Sequence, residues 1–147
     1  FAPGAKLIAL CFSASYCKHC AHFVPKLQAV APLLRERLGV ELLLFCNDRT
    51  KEAYMEYLKK TGFPAVAWDE TQILKPVLRE AWGISTIPHV VLLDAEVGTV
   101  VQRNVRFAIE AVHERGEAAL ASFVQEKQGD SAAKPQAAAK PAAKMTL

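Results

Sequence analysis

The strongest constraint in this sequence is an apolar strand that runs directly into two closely spaced cysteines. Residues 6–12 form a nearly continuous apolar run, which is typical of a strand buried on both faces. Residues 13–15 break this run, and Cys17 and Cys20 then open a long amphipathic stretch. A helix is therefore expected to begin at the first cysteine of a Cys-x-x-Cys motif.

The position of the two cysteines predicts dithiol chemistry. Unpaired backbone N–H groups and the positive end of the helix dipole stabilise a thiolate at a helix start, where Cys17 lies. Cys20 follows one turn later on the same face, so the two sulfurs can close a disulfide that an outside thiol reopens. We expect an exposed Cys17 to attack and a shielded Cys20 to resolve. The intervening Lys18 and His19 are expected to favour the anion.

Metal binding is the alternative use of these cysteines. A Cys-x-x-Cys can supply half of a zinc site, with His19 or His22 as a further ligand, or hold an iron–sulfur cluster between two chains. The sequence has no second Cys-x-x-Cys, and Cys11 and Cys46 lie within apolar strand runs. We therefore expect no metal and no resident cofactor, and we interpret Cys11 and Cys46 as inert core residues.

The rest of the pattern predicts an α/β fold with a central mixed sheet and helices on both faces. Two parallel strands joined by helices are expected to be followed by an antiparallel hairpin with its turn at 94–98. The expected segments are a helix over 18–38, a strand over 40–46, a helix capped by Thr50 and stopped by Gly62, a short apolar piece over 63–68, a helix over 71–82 bent or broken by Pro76, strands over 88–93 and 98–101, and a helix from Arg106 to about Lys127 interrupted at Gly116.

A change in composition at residue 129 predicts one domain over 1–128 and a disordered tail over 129–147. The tail is rich in Ala, Lys and Pro and has no apolar periodicity. Residues 131–147 hold three lysines and no acidic residue, so they account for the net charge of +3 and residues 1–130 are neutral. Nucleic acid is therefore not an expected partner, and weak contact through the tail is the alternative to a solvated tail. No apolar run approaches the roughly 18 residues of a membrane span. We expect a cytoplasmic monomer.

A second feature that supports redox chemistry is the Ile87-Pro88 pair before the strand over 88–93. In a fold with a working dithiol, a cis-proline at this point holds the backbone beside the disulfide. The backbone of Ile87 can then pair with an extended substrate, as a strand edge does. A proline at the mouth of a strand is also tolerated for structural reasons alone, which is the alternative.

Residues 12–20 (Phe-Ser-Ala-Ser-Tyr-Cys-Lys-His-Cys) resemble the active-site segment of tryparedoxins and nucleoredoxins, Phe-Ser-Ala-Ser-Trp-Cys-Pro-Pro-Cys. The resemblance implies a thioredoxin-like fold, with the family's N-terminal hairpin largely missing. It covers about residues 5–110, continuing through 40–48, 54–60, 63–64, 82–88, 94–98 and Arg106.

The resemblance also implies roles for individual residues. Cys17 would be the nucleophile and Cys20 the resolving partner of a redox-active disulfide, and Tyr16 would take the place of the motif tryptophan and help to cover it. Ile87 and Pro88 would form the substrate-facing loop, and Arg106 approximately matches a basic residue near the thiol-binding face.

Tryparedoxins pass electrons from trypanothione to peroxiredoxin-type peroxidases. The resemblance therefore implies an enzyme that reduces protein disulfides, with peroxiredoxins among its partners. An external dithiol such as trypanothione or glutathione would supply the electrons.

The sequence departs from the family at three positions in the motif and at one position further along the chain. Tyr16 replaces tryptophan, Lys18-His19 replaces Pro-Pro, and Ala65 stands where a second tryptophan is usual. A histidine before the second cysteine is more typical of disulfide isomerases and periplasmic oxidants. Two alternatives therefore remain, which are an oxidase or isomerase and a thioredoxin-fold binding module regulated by its cysteines.

Overall fold

The computed structural model describes residues 5–121 and 123, and the order of its elements is the expected one. The elements are β1 (Leu7–Ser13), α1 (Lys18–Leu38), β2 (Val40–Cys46), α2 (Lys51–Thr61), α3 (Trp68–Trp82), β3 (His89–Asp94), β4 (Val100–Gln102), α4 (Arg106–Arg115) and a short 3₁₀ helix (Gly116–Ala119). The tail predicted over 129–147 lies outside the described residues, as do residues 1–4 and most of the last predicted helix beyond residue 121.

The sheet confirms the predicted mixture of parallel and antiparallel strands. Its order is β2-β1-β3-β4, with β1 parallel to β2 and antiparallel to β3, and β3 antiparallel to β4. Ser13 pairs with Cys46 and Phe12 pairs with His89. The C-terminal end of β1 therefore lies beside the N-terminal end of β3, at the end of the sheet where the Cys-x-x-Cys motif begins.

Alternating residues of β1 pack into two cores, one on each face of the sheet. Ala9 and Cys11 belong to the core that includes buried residues of α1, α2 and α4. Leu10 and Phe12 belong to the other core, which is covered by α3. The prediction of helices on both faces is therefore confirmed. Because both faces are covered, nearly every residue of β1 is apolar.

Helix α1 spans the predicted residues even though Pro25 and Pro32 lie inside it. Both prolines are on the exposed side of the helix. The helix ends at Gly39, whose φ of 66° is in the left-handed region, and the Gly39 N–H donates to the carbonyl of Arg35 at 3.1 Å. This end returns the chain directly into β2.

Pro76 is predicted to bend or break α3, and the break is wrong, because the helix is continuous from Trp68 to Trp82. Pro76 lies on the exposed side of the helix, as does Gln72, whose carbonyl loses its helical partner. The helix also begins three residues earlier than predicted. Asp69 and Glu70 occupy its first turn, where negative charge is favoured by the helix dipole.

The hairpin turn at residues 94–98 is confirmed. Asp94 Oδ1 accepts the N–H groups of Glu96 and Val97 at 2.8 and 3.0 Å, and Gly98 adopts a φ of 79°. The second strand is shorter and later than predicted, since β4 begins only at Val100. The last helix changes from α to 3₁₀ geometry at Gly116, the predicted point of interruption.

No helix in the described part of the chain combines the length and the hydropathy that crossing a bilayer requires.

The N-cap of α2 provides a test of local stability. The Oγ1 of Thr50 accepts the N–H of Ala53 at 3.1 Å, as the sequence predicts. Replacing Thr50 by Ala is expected to lower the free energy of unfolding by about 1 kcal/mol, measured by chemical denaturation. Thr50→Ser keeps the acceptor and serves as the control. Equal losses in both variants would contradict the cap's contribution.

Candidate active site

The Cys-x-x-Cys motif lies in the turn between β1 and α1. The Cys17 N–H donates to the carbonyl of Ala14 at 3.2 Å, which closes the turn. The Asn47 N–H donates to the carbonyl of Ser13 at 2.8 Å, and the Ser15 N–H donates to Oδ1 of the buried Asp48 at 2.7 Å. The segment after β2 therefore holds the turn that presents Cys17.

Cys17 is the N-cap residue of α1, as predicted. Its backbone is extended, with φ −90° and ψ 121°, and its Sγ accepts the N–H of Cys20 at 3.2 Å. The side chain is partly exposed. A sulfur that accepts a backbone N–H at the positive end of a helix is well placed to carry negative charge, which is the property required of an attacking thiolate.

Cys20 is fully buried one turn behind Cys17, so the predicted contrast in exposure is confirmed. Burial raises the pKa of Cys20 to about 11, and hydrogen bonding with Cys17 adds to the rise. Hydrogen bonds with the Ser13 side chain and the Ala14 backbone act in the opposite direction. At neutral pH Cys20 is a protonated thiol, and it must lose its proton before it can attack.

The Ile87–Pro88 peptide bond is cis, which confirms the prediction from the sequence. The carbonyl of Ile87 lies 3.8 Å from Cys17 Sγ, close enough for the thiol to donate to it. Pro88 is buried, and His89 immediately begins β3. The predicted substrate-facing loop thus adjoins the sulfur, while its substrate-binding role stays a prediction.

A cleft of about 400 Å³ opens beside Cys17. Of the predicted site residues, Tyr16, Cys17, His19 and Ile87 line it, whereas Lys18, Cys20, Pro88 and Arg106 do not. The full lining consists of Tyr16, Cys17, His19, Asn47, Arg79, Ile84, Ser85, Thr86 and Ile87.

Tyr16 is 57% exposed and does not pack into the core. The guanidinium carbon of Arg49 lies 5.2 Å from the centre of its ring, which is cation–π geometry. This contact connects the turn before Cys17 to the segment that leads into α2.

Arg106 lies at the start of α4, and its guanidinium carbon is 6.0 Å from the ring centre of Phe23 and 5.2 Å from that of Phe107. Its Nε is 3.8 Å from a carboxylate oxygen of Glu110. The structure therefore places Arg106 against α1 rather than in the cleft that holds Cys17.

A polar pair that the sequence did not predict lies behind Cys20. The hydroxyls of Ser13 and Tyr57 lie 2.6 Å apart in the interior, although 44 positions separate them in the chain. Tyr57 and Cys20 also line a second cavity, of about 330 Å³, between α1 and α2, together with Glu56 and Lys60. Helical spacing identifies Tyr57 as a core residue, but nothing local marks its hydroxyl as the partner of Ser13.

Cys11 and Cys46 are fully buried, in agreement with their interpretation as core residues. Burial raises the pKa of both thiols, that of Cys46 to about 12, where the nearby Asp48 charge contributes as well. In the part of the chain that the structure describes, no three His, Cys, Asp or Glu side chains converge as metal ligands would.

These differences in burial predict which cysteine reacts with an alkylating agent. The folded, reduced chain treated with iodoacetamide at neutral pH is expected to gain one label, on Cys17, because a buried thiol with a raised pKa offers little thiolate. Peptide mapping by mass spectrometry locates the label. Denaturant should expose the other three thiols as the positive control, and labelling of Cys20 at the rate of Cys17 in the folded chain would contradict the prediction.

Comparison with known proteins agrees with the fold that holds this site. A family model described as thioredoxin-like matches residues 4–100, more than half of the chain. The chain is 30% identical over 99 residues to probable nucleoredoxin 1 of Arabidopsis thaliana, covering 67% of this chain and 17% of that protein. It is 25% identical over 101 residues to the tryparedoxin of Trypanosoma brucei brucei, covering 69% of each. The chain thus spans less than a fifth of the nucleoredoxin's length.

Solved structures of tryparedoxins superpose on this chain. Native tryparedoxin I from Crithidia fasciculata gives a TM-score of 0.69 at 25% identity, covering 77% of this chain and 78% of that one. Tryparedoxin II complexed with glutathionylspermidine gives 0.65 at 23% identity, covering 78% and 77%. The fold and the resemblance predicted from the sequence are confirmed, and the chain belongs to the thioredoxin-like family, with nucleoredoxin and tryparedoxin among its homologues.

Proposed function

We propose that this chain is a thiol–disulfide oxidoreductase that reduces protein disulfides with Cys17 and Cys20. The observation that carries the proposal is the contrast within one helical turn. A partly exposed Cys17 Sγ accepts the Cys20 N–H at 3.2 Å, while the Cys20 side chain is fully buried behind it. The Cys17 sulfur is accessible to a substrate disulfide, and the Cys20 sulfur is shielded from it.

In the first step, the Cys17 thiolate attacks one sulfur of the substrate disulfide. The substrate S–S bond breaks, its second sulfur leaves as a thiolate that takes a proton from solvent, and Cys17 becomes part of a mixed disulfide. The cis-proline loop adjoins this reaction, since the Ile87 carbonyl is 3.8 Å from Cys17 Sγ. An extended substrate segment would pair with this backbone.

In the second step, Cys20 loses its proton and attacks Cys17 Sγ. The mixed disulfide breaks, the remaining substrate sulfur leaves and is protonated, and a Cys17–Cys20 disulfide forms, so two electrons have passed to the substrate. The difficulty in this step is the proton, because burial raises the pKa of Cys20 to about 11.

The hydroxyl pair behind Cys20 offers a route for this proton. Interaction with the Ser13 side chain lowers the pKa of Cys20, and the Ser13 hydroxyl lies 2.6 Å from the Tyr57 hydroxyl. Tyr57 in turn lines the cavity that also contains Glu56. We propose that the proton passes from Cys20 through Ser13 and Tyr57 to this cavity, with the Glu56 carboxylate available to accept it.

An external dithiol would return the pair to its reduced state, and no resident cofactor is part of the proposal. Trypanothione or glutathione is the proposed donor, supported by the family and by the solved complex of tryparedoxin II with glutathionylspermidine. Peroxiredoxins are proposed as partners on the ground of the similarity to tryparedoxin alone. We place this activity in the cytoplasm, with the chain acting as a monomer.

Isomerase or oxidase activity is the second candidate, favoured by one observation. His19 precedes Cys20, is exposed, and lines the cleft beside Cys17, where its protonated form would stabilise the reduced pair. The reduction potential of the pair separates the two functions. A value near −270 mV indicates a reductant, and one nearer −180 mV indicates an isomerase.

Substitution of each motif cysteine tests the division of labour. With insulin as substrate and dithiothreitol as electron donor, Cys17→Ser is expected to abolish catalysed reduction, whereas Cys20→Ser should trap a mixed disulfide through Cys17, visible by mass spectrometry. Cys46→Ala removes a buried thiol outside the motif and is the control for general damage. Full turnover by Cys17→Ser would contradict the role of Cys17 as the nucleophile. A wild-type chain that reduces insulin no faster than dithiothreitol alone would instead indicate a binding module.

The proton route is tested by removing one hydroxyl. Tyr57→Phe is expected to slow decay of the mixed disulfide about tenfold or more at pH 7, because general-base assistance of this kind contributes at least that much. The deficit should shrink as pH approaches about 11, where Cys20 loses its proton unaided. Acid quenching followed by mass spectrometry measures the decay.

The matched control for Tyr57→Phe is Tyr54→Phe on the same helix. The Tyr54 hydroxyl donates to the carbonyl of Val66 at 2.9 Å and has no contact with Ser13. Equal decay rates in wild type and Tyr57→Phe, or a deficit that does not depend on pH, would contradict the route.

A further inference from the structure

The cleft beside Cys17 is bordered by positive charge. Arg79 and His19 line it, and Lys18 adjoins Cys17 in sequence. Arg49 stacks over Tyr16, another lining residue. All four basic side chains are exposed. These groups come from three segments of the chain, the start of α1, the end of α3 and the loop after β2, so the fold assembles them at the reactive sulfur.

Negative charge is scarce at the same place. No Asp or Glu lines the cleft. Asp48 lies behind the turn, but it is 1% exposed and directs Oδ1 to the Ser15 N–H at 2.7 Å. Within residues 5–121 and 123, Lys26, Arg35, Arg37 and Arg106 form ion pairs with carboxylates. Arg79, Arg49 and Lys18 are therefore left without a carboxylate partner in the described part of the chain.

Unpaired cations around a concave site affect which molecules arrive there. A protein wall of low dielectric focuses the field into the cleft and raises the local concentration of anions, while it repels cations. Arg79 also lies in the last turn of α3, where a cation offsets the helix dipole. That role concerns stability alone and predicts no discrimination between substrates, so the two interpretations are separable.

We propose that the preferred substrates are disulfides flanked by carboxylates in an extended, acidic peptide segment, and that Arg79 is a specificity-determining residue. The proposal rests on the disulfide exchange at Cys17 proposed above. Glu or Asp side chains beside the substrate sulfur would meet Arg79 and His19 in the cleft and Lys18 and Arg49 at its edge. The same basic residues would repel a segment rich in lysine.

The test uses the full chain, reduced and freed of reductant, so that no physiological donor is needed. Two peptides are compared that contain the same intramolecular disulfide and differ only in flanking residues, Glu in one and Lys in the other. Single-turnover reduction is followed by chromatography at about 10 mM and about 1 M salt, where the Debye length is about 30 Å and about 3 Å. The Glu peptide is expected to react about tenfold faster at low salt, with the ratio approaching one at high salt.

Two variants test whether the preference for the Glu peptide arises from the cleft. Arg79→Glu should remove or reverse the ratio, whereas Arg115→Gln, which removes an exposed cation at the end of α4, should leave it unchanged. Equal rates for the two peptides, or an equal loss of preference in both variants, would overturn the proposal while leaving disulfide reduction intact. Failure of the reduced chain to act on either peptide would instead overturn the proposed function.

Discussion

The site depends on one hydrogen bond, from the backbone N–H of Cys20 to the sulfur of Cys17. This contact exists because Cys17 is the N-cap residue of α1, which in turn requires that β1 end at Ser13 and that a short turn redirect the chain. An N–H at a helix start has no partner within the helix, so a sulfur in the N-cap position satisfies it. The Cys17 sulfur that caps the helix is therefore also the sulfur proposed to react.

The sheet places a second segment beside Cys17, and this segment forms the other wall of the cleft. Because β3 runs antiparallel to β1, the segment that precedes it arrives at the edge where β1 ends. The carbonyl of Ile87 consequently lies beside Cys17 although 70 positions separate the two residues. A parallel β3 would place this segment at the opposite edge of the sheet, and the sulfur would face open solvent.

Sequence patterns predicted the features that are local or buried on both sides. The strands over 40–46 and near 6–12, the ends of α1 and α2, and the N-cap position of Cys17 all follow from apolar runs, glycines and cap residues. The continuity of α3 through Pro76 was not predictable from the proline alone, because it depends on which side of the helix faces solvent. The Ser13–Tyr57 contact and the cations around Cys17 depend on packing between distant segments, which periodicity does not encode.

The two cavities lie on different sides of the cysteine pair, one beside Cys17 and one behind Cys20. In the proposed reaction, a docked protein occupies the first and the released proton uses the second. A partner that seals the front of the molecule would therefore not block completion of electron transfer. In such an arrangement the size of the docked partner does not limit the exit of the proton.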